Sequence, residues 1–102
     1  MGMGEVVPPK LTAAAALRLV RALAADSSRI DILDHCTNRM RQRRVSLRQI
    51  EMCLRKGTIS EGPFVNPHGN WQVSLIRHAA GEELTCVVAI EVGVRLLVVT
   101  VF

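Results

Sequence analysis

A chain of 102 residues, 49% hydrophobic and 22% charged, has the length and composition for one domain with a buried core and excludes a disordered tail. Trp71, Phe64 and Phe102 are its only aromatics, so the core must be built from Leu, Val, Ile, Ala and Met, and no uncharged apolar run of about 18 residues exists to span a membrane. The net charge of +4 is concentrated, with eight Arg and Lys against three Asp and Glu in residues 29–57, which turns attention to polyanions and acidic proteins as partners.

Residues 1–10 read as a flexible lead-in, closed by Pro8-Pro9, which stops any helix before it. They show no basic flank before an apolar block, so no secretory signal is read there, and Val6 stands where a myristoylation signal wants Ser or Thr. Thr12 suits the cap of a helix running to about Ala25. Leu17, Val20, Leu23 and Ala24 lie on one face of it, and Arg18 and Arg21 lie on the other. Asp26-Ser27-Ser28 is a polar break. Ile30 and Ile32 alternate with charged residues, the mark of a brief extended piece.

A second helix is expected to begin near Asp34, where an anion opposes the positive end of the helix dipole. Leu33, Cys36 and Met40 form its apolar stripe. His35, Arg39 and Arg43 repeat at i, i+4 and i+8, so three basic side chains line up on a neighbouring face. Ser46-x-x-Gln49 is a capping box that starts a third helix, buried through Leu47, Ile50, Cys53 and Leu54 and stopped by Gly57.

Beyond Gly57 the hydrophobic period changes from 3.6 to 2. Short strands are predicted over Thr58–Glu61, Trp71–Ile76, Leu84–Ile90 and Arg95–Phe102, with loops over Gly62–Asn70, His78–Glu82 and at Gly93. Short links between consecutive strands give an antiparallel meander. The fold class is therefore α+β, with N-terminal helices packed on one face of a C-terminal meander of three to four strands. Residues 11–102 are read as a single domain.

Cys36, Cys53 and Cys86 are widely spaced and odd in number, which fits a reducing cytoplasm and small buried side chains better than a disulfide framework. The His35-Cys36 pair lacks the second ligand pair of a structural zinc site, so neither a metal nor any other cofactor is expected.

From Ile30 onward the sequence resembles a bacterial domain-of-unknown-function family, number forty-two fifty-eight. The resemblance rests on Asp34-His35, Arg39-Met40, Arg43, Gly57, Gly69-Asn70-Trp71, Val87-Val88-Ala89-Ile90 and Val98-Val99-Thr100-Val101. Residues 30–102 are the family-like core, and 11–28 form an extra N-terminal helix. The family is distantly similar in fold to toxin ribonucleases of the RelE, ParE and EndoU kind. That resemblance implies active-site roles for His35 and Thr100. It departs at Leu33, where relatives often carry a helix-capping Thr.

Metal-free RNA cleavage needs a proton acceptor for the 2′-hydroxyl, a proton donor for the leaving oxygen and cations for the phosphate. His35 is the proton-transfer candidate, and Thr100 is a hydrogen-bond donor to phosphate. Arg39 and Arg43 are forked phosphate ligands, and Trp71 is a platform for a base. Arg41, Arg44 and Lys56 add sequence-independent attraction. Against this, Glu82, Glu83 or Glu91 are candidate intramolecular partners for Arg39 and Arg43, Trp71 suits the edge of a core, and no second acid or base stands out.

Two functions remain open. One is a toxin-like ribonuclease or RNA-binding protein, acting on RNA or the ribosome and neutralised by an acidic antitoxin-like protein. The other is a non-catalytic interaction module or a structural homodimer pairing through Arg95–Phe102, were that strand to lie at a sheet edge. A DNA reader would need the helix from Ser46 as its recognition helix, with Arg48, Gln49 and Arg55 at base edges.

Overall fold

Thr12 opens the first helix, α1 (Ala13–Ala24), by accepting the Ala15 N–H on its hydroxyl at 3.0 Å. The computed structural model describes residues 10–102, so positions 1–9 of the expected lead-in lie outside the described residues. A 3-10 turn (Ser27–Arg29) follows, capped by Asp26. The hydroxyl and the N–H of Ser28 both donate to that carboxylate and hold it below its usual range. The brief extended piece is β1 (Ile30–Ile32).

Helix α2 (Asp34–Arg43) starts without a side-chain cap. Leu33 occupies the capping position and cannot accept, so Asp34 serves as the acid of the first turn. The helix ends at Arg44, whose φ of 55° is left-handed. Helix α3 (Leu47–Lys56) opens on the capping box, with Ser46 and Gln49 bonded reciprocally at 2.7 and 3.1 Å. Gly57 ends α3 for lack of room rather than for a special φ. A Cβ there would stand 2.6 Å from the Cys53 carbonyl oxygen and 2.8 Å from that of Ile76.

Four longer strands follow: β2 (Thr58–Val65), β3 (Trp71–Ala79), β4 (Glu82–Glu91) and β5 (Arg95–Val101). They form the expected antiparallel meander, but the sheet has five strands in the order β1-β5-β4-β3-β2, and β1 pairs parallel with β5. The strand count thus exceeds the expected three to four. β2 also runs past the turn formers Gly62-Pro63. It absorbs them through register shifts between Ile59 and Phe64, where Gly62 adopts a φ of 91°. The β3–β4 connection shrinks to a two-residue turn, Ala80-Gly81, with both φ values positive.

β5 is not a sheet edge over Leu96–Val98, where β1 pairs with it. The edge on which the homodimer idea rested is covered there. The core joins all three helices to one face of the sheet. Ala16, Val20 and Leu23 of α1, Cys36 of α2, and Ile50 and Leu54 of α3 share a single buried cluster with Val73, Leu75, Val88, Ile90, Leu96 and Val98. Each large apolar side chain buried there contributes about 1.5–3 kcal/mol. Among the described residues, no helix is long and apolar enough to cross a membrane.

Candidate nucleic-acid interface

β1 is only three residues long, so it covers the first half of β5 and leaves the second half open. Helix α2 takes its place. The Leu33 N–H donates to the Val98 carbonyl at 3.2 Å, and Arg39 Nε donates to the Val101 carbonyl at 3.3 Å. An unpaired strand carbonyl is thus satisfied by a helix side chain. His35, Arg39 and Arg43 form the stripe their spacing predicts, and that stripe follows the end of β5 toward the β3–β4 hairpin. His35 is exposed and lies one turn before Arg39, between the two anchors. Thr100 directly precedes the carbonyl that Arg39 holds. It pairs with Val87, on the sheet face opposite the core, and is half-buried. Arg39 therefore reaches the backbone next to Thr100 at the end of β5, and no hydrogen bond among the described residues joins the two side chains. Among the described residues, no hydrogen bond joins His35 to either of them.

Trp71 is placed elsewhere. It pairs with Ile90, packs against the core on the helix side, and lies two strands across and three residues along the sheet from Thr100. From Ile90 back to Val87 along β4 is three residues, about 10 Å, and two strand spacings add about 10 Å across the sheet. The geometry does not bring the indole to His35, Arg39 and Thr100.

The arginines of the basic segment fall into two groups. Arg29 donates to the Val94 carbonyl at 2.8 Å and pairs with Asp26. Arg55 donates to the Ala24 carbonyl at 2.7 Å and to Ser27, and pairs with Glu51. These are tertiary ties. Arg41, Arg43, Arg44 and Arg48 are exposed around the α2–α3 corner, and none enters an ion pair among the described residues. The pairing of Arg39 and Arg43 with Glu82, Glu83 or Glu91 does not form. Glu91 is taken by Arg95, at 2.7 Å. The DNA-reading arrangement loses Arg55, which is held by Ala24 and Ser27, and keeps Gln49 only as a donor, because the capping box takes its amide oxygen.

Two concave features depend on tertiary packing that the sequence pattern does not by itself display. A groove of about 710 Å³ on the sheet face opposite the core has Leu33, Ala89, Leu97 and Val99 as its apolar floor. A cleft of about 60 Å³ lies between the α2–α3 corner and the β3–β4 hairpin, bordered by Arg43, Gln49, Arg77 and Glu82. The signal for the cleft was present. Alternation along β3 and β4 puts Arg77, Ala79, Glu82 and Leu84 on the face of Leu75 and Cys86, toward the helices.

Cys36, Cys53 and Cys86 are all free and fully buried. The Cys53 thiol donates to the carbonyls of Leu75 and Leu84. The Cys86 thiol is pushed up by its hydrogen bond with Cys53 and by burial, and the Cys36 thiol by burial alone. Among the described residues, no group of three or more His, Cys, Asp or Glu side chains is arranged to hold a metal ion.

A family model described as Domain of unknown function (DUF4258) matches residues 32–102. No curated protein and no solved structure matches the chain.

Proposed function

The chain belongs to the family described as Domain of unknown function (DUF4258), and from that premise we propose that it binds RNA through the arginine corner where α2 meets α3. One observation carries the reading. Arg41, Arg43, Arg44 and Arg48 crowd one turn and its flanks, exposed and without a carboxylate partner among the described residues. Crowded like charges destabilise a fold, and a polyanion relieves them while releasing its own counterions. Guanidinium groups add forked hydrogen bonds to phosphate oxygens.

The test is binding of a labelled single-stranded RNA by the purified chain across a salt series. Affinity is expected to fall steeply with salt, and replacing Arg44 and Arg48 by Ala should weaken binding at every salt concentration. Salt-independent binding, or none, overturns the reading. Equal, arginine-dependent binding of polyglutamate moves the assignment to an acidic protein partner of the antitoxin-like kind.

Cleavage is a second reading, favoured by Arg39 reaching the Val101 carbonyl next to Thr100 at the end of β5, with His35 one turn away on the same helix stripe. His35 takes the proton of the 2′-hydroxyl as that oxygen attacks phosphorus, Thr100 donates to a phosphate oxygen, and the departing 5′-oxygen is protonated from water. The chain should then cleave RNA in the presence of a chelator, and His35→Ala should abolish cleavage while leaving binding within twofold. Intact RNA after long incubation removes the cleavage reading and leaves binding standing.

A further inference from the structure

Phosphate contacts hold a strand without reading it, so a surface made only of arginines has no sequence preference. The cleft beside the corner is built differently. Val45 and Leu84 give it apolar walls. Arg43 and Arg77 bring guanidinium donors, Gln49 an amide, and Glu82 a carboxylate from the first position of β4. Gln49 has committed its amide oxygen to the Ser46 N–H, which leaves its NH2 group as the donor. Neither Arg43, Arg77 nor Glu82 enters an ion pair among the described residues. Arg77 is half-buried and faces the helices, and Glu82 lies on the same sheet face two residues nearer the turn. Donors and an acceptor thus converge on one small space, each with bonding capacity left over.

We propose that this cleft receives the edge of one unstacked guanine base of the RNA bound at the neighbouring corner, with Glu82 as the reading residue. The inference rests on the RNA-binding reading and specifies its substrate class. Its chemistry follows from the donor pattern of the bases. A carboxylate accepts two parallel hydrogen bonds, and guanine presents N1–H and N2–H side by side on its Watson–Crick edge. Adenine and cytosine offer a single amino group there, and uracil only one N–H. Guanine O6 and N7 then face donors, which Arg43, Arg77 and the Gln49 amide supply. The space of about 60 Å³ is of the order of four waters, enough for a base edge and too little for a nucleotide, so the ribose and phosphate stay outside among the arginines.

The experiment uses the full chain and short oligouridines that carry a single guanosine, adenosine or cytidine, or none, at low salt. The guanosine-containing strand is expected to bind about tenfold tighter than the others, the discrimination that one good two-bond contact provides. Glu82→Gln should erase that preference and leave oligouridine binding within about twofold, because Gln meets N2–H with a donor. Arg44→Ala should weaken all four strands by the same factor. The thermal midpoint of Glu82→Gln checks that the fold is retained. Equal binding of all four strands by the wild-type chain overturns the guanine site and leaves the RNA-binding reading intact. A preference that survives Glu82→Gln overturns the assignment to Glu82. A variant that binds every strand more tightly by one common factor makes Glu82 a repulsive charge and no reader. If no strand binds, the RNA-binding reading and this inference fall together.

Discussion

At the C-terminal end of α3, Arg55 donates to the Ala24 carbonyl and Arg21 reaches the Gly57 carbonyl at 2.6 Å, so two guanidiniums tie α1 to the helix–strand junction. At the N-terminal end of the same helix, Arg43, Arg44 and Arg48 stand exposed with no carboxylate near enough to pair. The residue type is the same at both ends. The difference lies in what surrounds them. The α3–β2 junction is so tight that its carbonyls need side-chain donors, whereas the α2–α3 corner opens to solvent and satisfies its own backbone through the capping box. Arginine is a structural tie at one end of α3 and an available charge at the other.

The junction is the place to break this comparison most sharply. Gly57→Ala puts a methyl group against two backbone oxygens, neither of which can swing away. The expected loss is about 3 kcal/mol, at the upper end for overpacking, read as a lower denaturant midpoint with an unchanged m-value. A near-neutral result would mean the junction is looser than its distances say, and the structural role of Arg21 and Arg55 would weaken with it.

Arg55→Ala comes next. It removes the bond to Ala24 and the contacts with Ser27 and Glu51, and is expected to lower stability by about 2 kcal/mol. Its effect on RNA affinity should be small beside that of Arg48→Ala, although each deletes one positive charge. Denaturation and salt-dependent binding on the same two variants separate the roles. If both variants lose affinity equally, total charge matters and the corner does not.

Arg44→Gly sharpens the comparison because its two effects have opposite signs. Arg44 sits at φ 55°, where a side chain is unfavourable and Gly is the common helix terminator. The substitution should raise stability by about 1 kcal/mol and weaken RNA binding, reducing the salt slope by about one unit. A left-handed arginine at a helix end is a local choice against the fold, and binding is the compensation proposed for it.

Much of this architecture was legible in the sequence, and the reasons are local. Thr12, Ser46-x-x-Gln49 and Gly57 announce helix ends through bonds within four residues, and alternation in 71–101 announces strands through burial. Two kinds of feature were not legible. β2 continues through Gly62-Pro63 because pairing with β3 overrides the local turn preference. The fate of each arginine depends on partners far along the chain, 62 residues away for Arg39 and 31 for Arg55. The i, i+4, i+8 spacing correctly set His35, Arg39 and Arg43 on one stripe but carried no information on what the stripe faces. It faces the open end of β5, and so Arg39 meets a carbonyl rather than a carboxylate. The chemistry of Trp71 suits a base platform, but chemistry alone carries no position. Strand register puts Trp71 two strands away from Thr100 and on the other sheet face from that residue.

The smallest predicted effect supplies the control for Arg44. Ala80 is the other non-glycine residue at positive φ among the described residues, also at 55°, in the two-residue turn joining β3 and β4. Unlike Arg44 it carries no charge. Such turns favour Asn at this position, because Asn tolerates the left-handed region that Ala disfavours. Ala80→Asn should therefore raise stability by about 0.5–1 kcal/mol, seen as a higher denaturant midpoint, and leave RNA affinity and its salt slope unchanged. Were relief of backbone strain itself to weaken binding, by stiffening the hairpin that borders the cleft, both variants would lose affinity. If only Arg44→Gly does, the lost affinity belongs to the guanidinium.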